Sequence, residues 1–177
     1  MTDNHESLSE GETTADGRPL SPFFTGPSLA SFGIAHLLGM TFEHAPDGTG
    51  QVRIQVDGRL MHPQQIVHGG IIFTLADTAM SMALAALIPP GTPFGTIEAK
   101  INYLLPVRAG ELVARGRILH QGGSTAVMEA TVYNIEAHQL NGDGATASER
   151  AIAQVMGTFY IKRNKQRTDK QGESHQP

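Results

Sequence analysis

A single acid inside an otherwise apolar stretch is the residue with the clearest chemical potential in this chain. From Gly70 to Ile88 the sequence is almost wholly apolar, yet it carries Thr74, Asp77, Thr78 and Ser81. At 100° per helical residue these four fall within an arc of about 100°, while Ile71, Ile72, Leu75, Met82 and Leu84 lie elsewhere. The polar residues therefore form a stripe. Asp is a poor helix-interior residue, and an unpaired buried carboxylate costs several kcal/mol before its pKa gives way. A chain that keeps one there puts it to use. The plain alternative is a solvated Asp77, or one bonded to Ser81 one turn on.

The same stretch opens on His68-Gly69-Gly70. Two glycines suit a first helical turn where a ligand approaches the backbone closely. The N–H groups of that turn have no intrahelical partner and sit at the positive end of the helix dipole, so they can hold an oxyanion or a polarised carbonyl. Gly69 and Asp77 are eight residues apart, about 12 Å along a helix, too far for both to act on one carbonyl carbon within a single copy. If they share a substrate they come from two copies, which predicts a two-fold dimer with two sites across its interface.

The elements that must position these groups are legible from periodicity. A short helix is expected near Pro27 to Leu38. In GQVRIQVDG, Val52, Ile54 and Val56 alternate with Arg53, Gln55 and Asp57, the period of a half-buried strand. After the long helix come strand-like runs at Phe94–Leu105, Glu111–Leu119, Ala126–Glu136 and Ala151–Ile161. Turn-formers separate them: Pro106 to Gly110, Gln121-Gly122-Gly123 and Asn141 to Gly144. Connections of hairpin length imply antiparallel neighbours, so the expected plan is two strands, the helix, and a four-stranded meander. One antiparallel sheet of five to six strands around a helix apolar nearly all round makes an α+β domain. Residues 1–19 read as a leader, 20–163 as the domain and 164–177 as a polar, basic tail.

Composition narrows the function. The 177 residues are 40% hydrophobic and 17% charged, with a net charge of −4, which leaves no overall positive field to gather nucleic acid. No cysteine is present, which removes Cys-ligated metals and thiol nucleophiles. His62, His68 and Asp77 are not spaced as a zinc site, and no cofactor is implied. There is no Gly-x-Ser-x-Gly elbow of a serine hydrolase. The acidic N-terminus lacks the basic start and apolar centre of an export signal, and Asp77 argues against a lipid-facing helix, so a soluble cytoplasmic protein is expected.

Ile66-Val67-His68-Gly69-Gly70 followed by Leu75-Ala76-Asp77-Thr78-Ala79 resembles the signature of the phenylacetic-acid-degradation thioesterases, a family of hotdog-fold acyl-CoA thioesterases. The resemblance implies a sheet wrapped around the helix, dimers paired into tetramers, and hydrolysis of acyl-CoA to free acid and CoA. By position it implies Asp77 as the nucleophile or general base, Gly69 as the N–H donor to the thioester carbonyl, and His68 beside it. Thr96 matches a hydroxyl residue that helps orient water, and Ser81 the corresponding hydroxyl of another branch. The chain departs from the family at His62, followed by Pro63, where Asn or Gln is usual; Gln64 or Gln65 could fill that place if the loop is shifted.

Two rival readings keep the same residues. One is hydration or dehydration of an acyl thioester, with His62 or His68 in the acid–base role; the other is a silent acyl-CoA binder. For substrate contacts the candidates are Gly70, Thr78 and Met82 near the acyl group, and Arg108, Lys162 and Arg163 toward the CoA phosphates.

Overall fold

A computed structural model describes residues 33–45, 48–139 and 145–162 of the chain. The expected leader and tail, together with Arg163 and the start of the first helix, lie outside the described residues. In order come α1 (Gly33–Leu38), β1 (Thr41–Ala45), β2 (Thr49–Gln55), α2 (Gly69–Leu87), β3 (Phe94–Tyr103), β4 (Glu111–Gln121), β5 (Thr125–Gln139) and β6 (Ala145–Ile161). The strands form one six-stranded sheet in the order β1-β2-β4-β5-β6-β3, antiparallel at every pairing.

The helix α2 packs against β2, β3, β4, β5 and β6. Its buried face (Ile72, Leu75, Ala76, Ala79, Met80 and Met82 to Ala85) meets the alternate residues that each strand turns inward, among them Val52, Ile54, Leu112, Ala114, Met128, Val132, Val155 and Phe159. By length and mean hydropathy, 1.7 over its best window, α2 could cross a membrane. Here it is the core helix, and Thr74, Asp77, Thr78 and Ser81 are all half-buried along its one open side.

The helix lies unusually close to the sheet because Gly50 and Gly116 face each other across β2 and β4 beneath it. A Cβ on Gly50 would come 2.3 Å from the Ala79 carbonyl oxygen, and one on Gly116 2.5 Å from the Ala79 carbonyl carbon. Real Cβ atoms do not approach backbone so closely, so both positions require glycine at this helix–sheet separation.

The expected four-stranded meander is corrected. Only β4, β5 and β6 form one; β3 leaves β4 and pairs with β6 at the sheet edge. The Leu104–Gly110 connection is as short as a hairpin loop but runs across the end of the domain. Leu104 N–H donates to Ile152 C=O, Val107 C=O accepts from Val67 N–H, and Gly110 C=O accepts from Val56 N–H. Buried Val107 anchors it, and both sides of β4 are taken by β2 and β5.

Strand β3 also carries a bulge. Its pairing with β6 steps from Thr96↔Phe159 to Glu98↔Thr158, leaving Ile97 without a partner and 57% exposed. An extra residue reverses the alternation of side chains beyond it. Phe94 and Thr96 thus face α2 before the bulge, and Ala99, Ile101 and Tyr103 face it afterwards.

Candidate active site

Asp77 is held at the junction of α2 and β3. The Thr96 hydroxyl donates to its Oδ1 at 2.7 Å. Among the described residues Oδ2 has no hydrogen-bond partner, and the carboxylate is half-buried rather than fully enclosed. Asp77 therefore avoids the full desolvation cost of a buried acid while one oxygen stays open to reactants. Its partner is Thr96, not Ser81, which lies half-buried one turn further along. The Thr74 and Thr78 hydroxyls donate back to the Gly70 and Thr74 carbonyls, at 2.8 and 2.7 Å, so both line the stripe with their protons committed to the helix.

The other end of α2 is built by its cap. His68 is the N-cap residue, and its Nδ1 accepts the Gly70 N–H at 2.9 Å. The neutral ring then carries its proton on Nε2. Gly70 N–H is thereby spent on the cap, whereas Gly69 N–H has no acceptor among the described residues. The peptide that carries this free N–H is polarised from its other end, because the His68 carbonyl accepts from Ile71 N–H at 2.9 Å. Gly69 thus presents the one open donor of this turn, and His68 lies exposed beside it.

His62 begins the turn that feeds this cap. Its N–H donates to Ile66 C=O at 2.7 Å, and Gln65 closes the turn with φ 60°, a left-handed conformation. Gln64 and Gln65 stand exposed on the turn, while His62 faces His68 with ring centroids 5.9 Å apart. His62 Nδ1 accepts from Gln64 N–H at 3.2 Å. The place next to the HGG histidine is therefore held by an imidazole.

Of the remaining candidates, Met82 is only 2% exposed and packs beside Gly50 in the core, away from the polar stripe. Arg108 is exposed on the crossing loop and has no ion-pair partner among the described residues. Lys162 is exposed just past β6, its backbone N–H donating to Pro93 C=O. Tyr103 was missed by sequence reading. Its hydroxyl donates to the Gly69 carbonyl at 3.0 Å, and its ring would lie 3.0 Å from a Cβ on Gly69. Counting by two from Thr96 places Tyr103 on the wrong face, and only the bulge corrects it.

A core helix opened by His-Gly-Gly, carrying a lone carboxylate and enclosed by one antiparallel sheet, defines a hotdog-fold thioesterase. Comparison with known proteins agrees: the thioesterase superfamily profile matches residues 64–140. The acyl-coenzyme A thioesterase PaaI of Escherichia coli is 31% identical over 101 residues, 56% of this chain and 70% of that protein. The proofreading thioesterase EntH of Klebsiella pneumoniae is 30% identical over 57% of this chain and 73% of its own length. A solved thioesterase family protein of Silicibacter pomeroyi superposes with a TM-score of 0.65 at 26% identity, covering 76% of this chain and 92% of that one. The chain belongs to the thioesterase superfamily.

Proposed function

We propose that this protein hydrolyses acyl-CoA thioesters in the cytoplasm, at sites shared by two copies of the chain. The observation that carries the reading is the placement of Asp77 and Gly69 against opposite ends of the same edge strand, Asp77 at Thr96 and Gly69 at Tyr103. The two ends are about 12 Å apart along α2, so one copy cannot bring both to one carbonyl. The outer edge of β3 has no strand beside it among the described residues, and it carries exposed Ile97. Antiparallel pairing of that edge with the same edge of a second copy sets the Gly69 end of one chain opposite the Asp77 end of the other. A dimer of such dimers is the tetramer this reading expects.

In the reaction, the thioester carbonyl oxygen accepts the Gly69 N–H, and developing charge there is worth a few kcal/mol of barrier to such a donor. Thr96 holds Oδ1, so Oδ2 of Asp77 faces the reacting carbon. As a base it takes a proton from water while the water oxygen adds to the carbonyl, and the tetrahedral adduct then breaks its C–S bond to release the acid and CoA thiolate. As a nucleophile it adds to the carbonyl itself, C–S cleavage expels the thiolate and leaves a mixed anhydride, and water then opens the anhydride. In either route the thiolate takes up a proton. Single turnover in ¹⁸O-water reports direct addition, since label enters the Asp77 carboxyl only when water opens an anhydride at its carbonyl. His68 and His62 flank the carbonyl site, and Ser81 and Thr78 line the stripe. Arg108 stands at the Gly69 end of β3 and Lys162 at the opposite end, so pairing brings one chain's Arg108 toward its partner copy's Lys162, a setting for CoA phosphates.

The test is release of free thiol from a panel of acyl-CoAs, with Asp77→Asn alongside. Thiol release that falls at least a hundredfold in the variant supports hydrolysis. Double-bond absorbance change without thiol supports a hydratase instead, and saturable binding with neither supports a silent binder.

A further inference from the structure

Tyr103 is the last residue of β3, and its ring lies against the first turn of α2. Its hydroxyl donates to the Gly69 carbonyl. That carbonyl and the Gly70 N–H belong to one peptide unit, and the Gly70 N–H in turn donates to His68 Nδ1. The three groups form a continuous chain, from phenol to peptide to imidazole. Hydrogen bonds arranged in series polarise one another, so the Tyr103 donor strengthens the bond that holds His68. A Cβ at position 69 would lie 3.0 Å from the Tyr103 hydroxyl and ring, so the bare glycine lets the phenol reach the Gly69 carbonyl without giving way.

We propose that Tyr103 is a positioning residue that fixes the first turn of α2 and, through the Gly69–Gly70 peptide, keeps His68 on the tautomer whose Nε2–H points outward beside the Gly69 N–H. This rests on the hydrolytic reading above for its effect on rate, though not for its geometry. The hydroxyl touches no reacting atom. Its removal acts on the orientation of the two donors and not on the affinity for substrate.

The test compares wild type with Tyr103→Phe, which keeps the ring and removes only the hydroxyl. A neutral hydrogen bond of this kind corresponds to about a three- to tenfold fall in kcat, with KM changed less than twofold. Without substrate, the Gly70 amide proton in ¹H–¹⁵N spectra should move upfield in the variant. The His68 ring, an Nε2–H tautomer in wild type by its ¹⁵N shifts, should become a mixture. A Tyr103→Phe protein with wild-type kcat overturns the proposal, as does one whose loss lies in KM. An unmoved Gly70 amide overturns it whatever the activity. A wild-type protein that releases no thiol sinks the hydrolytic reading alone, and the amide and imidazole shifts still decide whether Tyr103 holds that peptide.

Discussion

Replacing Gly116 by Ala should strain the protein where the helix meets the sheet and be felt at Asp77. The added Cβ would lie 2.5 Å from the Ala79 carbonyl carbon and 2.6 Å from the Met80 nitrogen. Ordinary contacts of a Cβ begin near 3.4 Å, so the helix and strand must separate by about 0.9 Å. Both partners are backbone, and no rotamer can relieve the overlap. The strand β4 is held on both sides by β2 and β5, so the helix is the element that yields. Overpacking of this kind costs about 1–3 kcal/mol, and backbone on both sides puts it toward the upper end. Alanine returns about 0.5–1 kcal/mol through the entropy that glycine loses in a strand. The net is a loss of about 2 kcal/mol, or a fall in Tm of about 4–8 °C for a chain of this size. Ala79 is two residues from Asp77, so a shift near 1 Å also stretches the 2.7 Å bond from Thr96 beyond hydrogen-bond range. Thiol release should fall with stability. The assay is a thermal melt and a thiol-release rate for Gly116→Ala beside Gly58→Ala, where a Cβ meets nothing within 4 Å. Equal melting temperatures for the two variants would refute the reasoning.

Thr96→Val keeps the shape of the side chain and deletes the donor to Asp77, so kcat should fall about tenfold, as for a hydrogen bond to a charged group, with the melting temperature nearly unchanged. Ile97→Lys places a charge on the free edge of β3 and should turn dimers into monomers in sedimentation, with thiol release lost in parallel. Asp57 accepts hydrogen bonds from the Arg59 side chain and backbone, and these hold its carboxyl below its usual value near 3.8. A lowered folded-state pKa gives stability that is present above that usual value and lost as the pH falls through the folded one. A ¹³C titration should therefore find the Asp57 midpoint higher in Arg59→Gln than in wild type.

Much of this architecture is written in local patterns. The apolar run and its polar stripe foretold α2 and its open side, because a helix repeats its environment every few residues and Asp77 interrupts it at the right phase. Pro106 to Gly110 and Gln121 to Gly123 marked the strand ends they flank, because turn chemistry is local too, while Asn141 to Gly144 lies outside the described residues. What local pattern does not contain is the choice of neighbour. The seven-residue link from Leu104 to Gly110 is compatible with a hairpin, and only competition for β4, settled by Ile54 and Leu112 on one side and Val132 and Ala114 on the other, sends β3 to the far edge. Asp77 was expected to be deeply enclosed, and the displacement of β3 to the edge leaves it half open. Met82 reads as a pocket residue by type, but Gly50 draws that part of the helix into the core. Tyr103 was invisible because a simple count by two fails across Ile97.

The unpaired residue at position 97 divides β3 into two halves of opposite phase. One half supplies the hydroxyl for the acid and the other the phenol for the helix start, and these two residues stand seven apart, a spacing that a regular strand would split between its two faces. With Ile97 bulged out of the ladder, both meet the helix. A chain lacking that one residue would keep both contacts on an unbroken ladder and lose only the exposed side chain at the free edge, so the extra position matters for what it shows to the outside.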